Sequence, residues 1–276
     1  MSTRRLKRAV SGGLVWVPAL AVLAVLAIPV LYTAVFSFND YTRSNLVWNP
    51  EGSPTLKHWL NPCGAPGACA ALGASLRVGL ISTVLATLLG TLMALALVRA
   101  RMKARGALEV LLMLPMATPD VVLGAGLLTL FVQGLSAIGV RLGEGTIIAA
   151  HVMLALSFVL VAVRARLESV DERLLEAAQD LYAGQWAAFR HVLLPLIAPG
   201  IAGAALLAFA ISMDDVVVAT FTGGEAVTFP RYVYITALRG IPAQANVIGI
   251  GLALAGLALA VAWLVFGALR ARGGGR

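Results

Sequence analysis

Six stretches of this chain run for about twenty residues each with almost no charge, and no soluble fold accommodates that pattern. They are Leu14 to Phe38, Val78 to Val98, Val110 to Val132, Thr146 to Val163, Ile201 to Phe221 and Val247 to Leu269. Each is long enough to cross a hydrocarbon layer of about 30 Å as a helix rising about 1.5 Å per residue. The stretches are continuously apolar, whereas strands of a membrane barrel alternate over about ten residues, so the fold class is all-α. Composition agrees: 60% of the 276 residues are hydrophobic and 12% are charged, against about a quarter charged in a soluble domain. The expectation is a polytopic membrane protein with helices over about 14–38, 78–98, 107–132, 145–163, 200–221 and 246–269, a short segment 1–13 before them and a tail 270–276 after them.

The formal net charge of +8 needs a topological explanation, because a nucleic-acid module does not interleave its Arg residues with long uncharged spans. Fifteen of the 21 Lys and Arg residues fall at the amino end, in the second connection, in the fourth connection 164–199 and in the tail. The opposite side holds Arg43, Lys57, Arg141, Arg231 and Arg239, and Arg77 stands at a helix entrance. By the positive-inside rule both termini and the 164–199 loop are expected in the cytoplasm, and no nucleic-acid partner is expected. The first span follows Arg4, Arg5, Lys7 and Arg8 as a signal peptide would, but it is too long and lacks a small-residue cleavage site, so it stays as a helix.

Cys63 and Cys69 lie in the external Pro/Gly-rich loop, where an oxidising periplasm permits a disulfide; two unpaired thiols are the alternative. No metal site is expected, since His58, His151 and His191 are scattered over three regions. There is no G-x-x-x-x-G-K-[ST] phosphate loop, no H-E-x-x-H and no G-x-S-x-G elbow, so an enzyme is the weaker class and no cofactor is expected in this chain.

The loop 164–199 carries the most unusual pattern. Ser169 with Glu172 reads as a capping box, Val170, Leu174, Ala177, Ala178 and Leu181 recur at helical spacing, and Gly184 suits a left-handed helix end. Trp186, Phe189, Val192 and Leu193 form a second stripe before Pro195, which makes the loop a helix-turn-helix outside the bilayer. It is either a lid on its own bundle or a docking element, and the small pair Ala177-Ala178 beside Glu176 suits close approach of another surface.

Glu176-Ala177-Ala178, followed by Leu194-Pro195, resembles the EAA loop of ABC importer permeases, the MetI-like family. The resemblance implies a six-helix transmembrane domain whose loop is a coupling helix seated on a cytoplasmic ATPase. That family pattern has Gly where this chain has Tyr182, with Gly184 two residues later. A narrower resemblance, to the PotC-type permeases of spermidine/putrescine uptake, rests on Ser212-Met-Asp-Asp-Val-Val-Val218, Pro119-Asp120, Leu175-Glu-Ala-Ala-Gln-Asp-Leu181 and Tyr232-Val-Tyr-Ile-Thr-Ala237.

Asp120, Asp214 and Asp215 are carboxylates inside apolar spans, where each costs roughly 2.5 to 3.5 kcal/mol at a helix centre. Their sequence positions place them at a similar depth, and Pro115 and Pro119 interrupt the helix beside Asp120. Either the acids line a solute path with Pro119, or they are satisfied by Ser212, Thr118, backbone or a partner's Arg. On one continuous helix Asp214 and Asp215 would point about 100° apart, one to the path and one to a neighbour. His151 reads as a helix-to-helix hydrogen-bond donor.

The resemblance thus implies a permease subunit of an ATP-driven importer for polyamines in the bacterial inner membrane. Its partners would be a second related permease (a heterodimer or a homodimer), two ATP-binding subunits that hold ATP and Mg, and a periplasmic solute-binding protein. The alternatives are an importer of another small solute (phosphonate, thiamine or ferric iron) and a gradient-driven transporter or channel. The last expects broken helices in matching halves, which the sequence does not display.

Overall fold

A computed structural model describes residues 3–41, 44–99, 105–171 and 173–273; Arg43, Arg101, Lys103, Glu172 and Arg276 are among those outside the described residues, as is the end of the tail. All regular structure among the described residues is helical. Five helices are long and apolar enough to cross a membrane, and a bent pair makes a sixth span. The chain divides into two compact units, residues 1–69 with 235–276 and residues 70–234.

In the first unit, α1 (Thr3–Phe36) packs against the last helix, Ala243–Gly273, and the short α2 (Lys57–Leu60) packs on that same helix. None of the Trp16–Phe36 spanning stretch is buried, as expected of a helix facing lipid. The loop after α1 is held by polar side chains: Asn39 Nδ2 donates to Asn45 Oδ1 at 2.6 Å and to the Val47 carbonyl at 2.9 Å, and the Asn45 amide donates to the Ile241 carbonyl at 2.9 Å. Cys63 and Cys69 are joined by a disulfide with their Cα atoms 5.3 Å apart.

The second unit is organised by α3 (Ala68–Arg99) and by the helix Glu144–Glu168, of whose spanning stretch 56% is buried. Ala86, Ala94 and Leu97 of α3 meet Ala155, Val159, Leu160 and Val163 of that helix, and Ile197, Ala204 and Ala208 close the core. Small residues set the approach: a Cβ on Gly90 would stand 2.7 Å from Val159 Cγ1.

Two spans are broken. The expected helix over 107–132 is divided into α4 (Arg105–Ala117) and α5 (Asp120–Thr129), bent by 107°. Pro119 cannot donate to the Pro115 carbonyl, which accepts the Thr118 amide at 3.3 Å instead, and a residue before proline is pushed out of the helical region. A π-helical turn, Leu130–Gly134, follows α5, and α6 (Glu144–Glu168) begins after it.

Beyond α6 come α7 (Arg173–Asp180), α8 (Gln185–Ala188), a π-helical turn Phe189–Leu193 and α9 (Leu194–Asp214). Pro195 lacks the donor for the His191 carbonyl, and the π turn beside it widens the helix where an α-helical bond is lost. The expected helix over 200–221 also proves divided. It stops at Asp214, passes through Asp215 in an extended conformation (φ −67°, ψ 124°) and restarts as α10 (Val217–Thr222). α11 (Phe229–Ala237) and α12 (Ala243–Gly273) complete the chain.

Candidate functional site

The two breaks open on one cavity of about 390 Å³, lined by Asp120, Asp214 and Asp215 with Pro115, Met116 and Phe158 among the apolar walls. The structure therefore brings the three intramembrane acids together. Asp120 is the first residue of α5 and Asp214 the last of α9, and both are exposed. Pro119 supplies the turn that carries Asp120 there. A larger groove of about 460 Å³ between α3 and α9 is lined by Thr83, Thr87, Thr91 and apolar side chains, with no charged group to act on a solute.

Asp215 sits differently from its neighbour. Its Oδ1 accepts the Val218 amide at 3.2 Å and its Oδ2 accepts the Ala219 amide at 2.7 Å, so the carboxylate caps α10. His151 Nε2 of α6 lies 3.1 Å from the same Oδ2, and His151 Nδ1 lies 2.7 Å from Ser212 Oγ of α9. The His151 and Asp215 side chains are 1% and 8% exposed. The cost of an acid at membrane depth is thus offset at Asp215 by backbone and imidazole donors, and at Asp120 by the positive end of α5. The expected division between the two adjacent acids rests on the end of the helix at Asp214, and not on the 100° step of a continuous one. Thr118 takes no part, since its hydroxyl donates to the Leu114 carbonyl at 2.8 Å.

The depth of the three acids is legible in the sequence, but His151 as Asp215's partner is not. The two are 64 positions apart, and nothing local signals the contact. Phe158 and Met116 were equally illegible as wall residues.

The 164–199 segment forms the expected helix-turn-helix with different caps. Ser169 ends α6, its hydroxyl donating to the Arg166 carbonyl at 2.7 Å, and Asp171 accepts the Arg173 amide at 3.0 Å to start α7. Glu172 is outside the described residues. The left-handed residue is Tyr182 (φ 62°), while Gly184 is extended (φ −63°, ψ 160°) and precedes α8. The Tyr182 amide donates to the Gln179 carbonyl at 2.8 Å and the Ala183 amide to the Ala178 carbonyl at 3.0 Å, the paired bonds of a Schellman motif. Val170, Leu175 and Phe189 pack on the core. Leu174, Glu176 and Ala177 face outward, Ala178 is half-buried, and Leu181 and Tyr182 are 82% and 99% exposed. The outer face of α7 thus combines exposed Leu174, Ala177, Leu181 and Tyr182 with the charged Arg173, Glu176 and Asp180. Leu194 and Pro195 sit where the segment becomes α9.

Among the described residues no three His, Cys, Asp or Glu side chains stand close enough to hold a metal ion.

Residues 86–271 match the family model described as binding-protein-dependent transport system inner membrane component. The spermidine/putrescine transport system permease protein PotC of Shigella flexneri is 32% identical over 256 residues, 92% of this chain and 94% of that protein. The putrescine transport system permease protein PotI of Escherichia coli (strain K12) is 34% identical over 200 residues, 71% of this chain and 67% of that protein. A chain in the crystal structure of a bacterial alginate ABC transporter, in complex with an alginate pentasaccharide-bound periplasmic protein, shares the fold. Its TM-score is 0.67 at 18% identity, over 95% of this chain and 94% of that one.

Proposed function

From the premise that this chain belongs to the family of binding-protein-dependent transport system inner membrane components, we propose that it is the membrane-spanning subunit of an ATP-driven polyamine importer. The observation that carries the solute class is the cavity between the broken spans, where Asp120 and Asp214 are exposed beside Asp215. A desolvated ammonium crossing a low-dielectric region needs a counter-charge, with about 4 kcal/mol at stake for a pair 4 Å apart at an effective dielectric near 20. An anionic solute would meet repulsion there. Relatives named as spermidine/putrescine permeases support the same class.

The energy comes from elsewhere. The chain has no phosphate loop, so ATP and Mg belong to two partner ATPase subunits, which dock on the outer face of α7 around Glu176, Ala177, Leu181 and Tyr182. A second permease, related or identical, completes the path, and a periplasmic binding protein delivers the solute. Positive charge on the side of the 164–199 loop and the Cys63–Cys69 disulfide at the opposite end of α3 favour one orientation, with both termini cytoplasmic in a bacterial inner membrane.

The test is competition. Uptake of labelled putrescine by vesicles carrying the assembled importer should be blocked by excess spermidine and unaffected by phosphonate, thiamine or ferric iron. Block by one of the latter, without block by spermidine, would replace the solute class.

A further inference from the structure

Three carboxylates border the cavity, yet they are not equivalent. Asp214 and Asp120 are exposed, whereas the Asp215 carboxylate accepts three hydrogen bonds, from two α10 amides and from His151. His151 is itself used at both nitrogens. Nε2 is assigned as the donor to the Asp215 carboxylate from the network, and Nδ1 is paired with the Ser212 hydroxyl. Ser212 belongs to the last turn of α9, Asp215 to the break, and the capped amides to α10. One imidazole from α6 therefore ties both sides of the break, next to the exposed Asp214.

We infer that His151 and Ser212 are positioning residues that assign the adjacent acids to different tasks. Asp215 clamps the α9–α10 break, and Asp214, together with Asp120, meets the cationic centres of the solute. The cavity thus offers two counter-charges to a polyamine and keeps a third withheld. The inference rests on the polyamine reading for its solute and on the hydrogen bonds alone for its geometry.

The experiment compares maximal uptake rates of spermidine and putrescine by the complete importer in vesicles, taking their ratio so that losses of expression cancel. Asp214→Asn should change the ratio by about threefold or more, since it removes a charge the solute meets. Asp215→Asn should slow both solutes alike. His151→Leu should release Asp215 toward the cavity and shift the ratio toward the more highly charged spermidine, and the double variant His151→Leu/Asp215→Asn should return it to the wild-type value. His151→Gln, which keeps a donor, should stay near wild type. A ratio changed by Asp215→Asn as much as by Asp214→Asn, or unchanged by His151→Leu, would overturn the inference.

Thermal unfolding of the detergent-solubilised importer decides the geometry without a solute. His151→Leu and Asp215→Asn should each lower the midpoint, with the double variant no worse than the weaker single, and Asp214→Asn should leave it in place. Additive losses would overturn the clamp. A wild-type importer that moves neither polyamine, with non-additive unfolding intact, would instead reject the solute class alone.

Discussion

His151 Nε2 stands 3.1 Å from Asp215 Oδ2, and this buried contact joins α6 to the break between α9 and α10. The other end of α6 leads through Ser169 into α7, so one helix connects the cavity to the proposed ATPase-docking face.

At the docking end, Glu176→Lys reverses the charge of an exposed residue without touching the core. It should abolish uptake and co-purification of the ATPase while membrane insertion stays normal. Full co-purification and transport in that variant would make α7 a lid.

Tyr182 holds a left-handed conformation that costs a non-glycine residue about 1–2 kcal/mol, and its side chain makes no use of the protein interior. Tyr182→Gly should therefore stabilise the isolated permease, read as a higher unfolding midpoint, by about 1 kcal/mol at most once the extra freedom of glycine in the unfolded chain is counted. A lowered midpoint would show that the ring is held by contacts the fold does not display.

Close packing of α3 on α6 predicts a cost at Gly90, where an added Cβ meets Val159 at 2.7 Å. Gly90→Ala should destabilise the permease by about 1–3 kcal/mol, read as a lower unfolding midpoint and lower yield. An unchanged midpoint would contradict the described approach of the two helices.

Outside the spans, His58 of α2 is buried beside Tyr41, and burial holds its pKa below the ordinary value despite the partly opposing pull of Asp40. The unfolded chain then binds the proton more readily than the folded one, so this contribution to stability is full above about pH 6.5 and is lost as the pH falls below that value. The unfolding midpoint should drop on acidification from neutral pH, and His58→Gln should reduce the size of that drop. An equal drop in both proteins would assign the pH dependence to other groups.

How much of this was legible in the residues follows from what each feature depends on. The spans are written in runs of apolar residues, and the helix-turn-helix of 164–199 in local periodicity, so both could be read directly. The breaks could be read only in part. Pro119 announces the bend before α5, but nothing in Asp214-Asp215-Val216 says that α9 ends there, because the stop depends on α10 amides and on His151 from another helix. Intrinsic preference favours Gly184 for the left-handed turn, whereas the chain places it at Tyr182 because α7 runs out at Asp180 and its last carbonyls need the Tyr182 and Ala183 amides.

The central claim, that the chain is a transport subunit driven by a separate ATPase, is tested most directly by spermidine accumulation in vesicles holding this permease, its partner permease and the binding protein, with and without the ATPase subunits and ATP. Accumulation against a gradient is expected only when the ATPase and ATP are both present, and Asp120→Asn or Asp214→Asn should lower its maximal rate in vesicles that assemble normally. Uphill accumulation without the ATPase, driven by an ion gradient, would contradict the account.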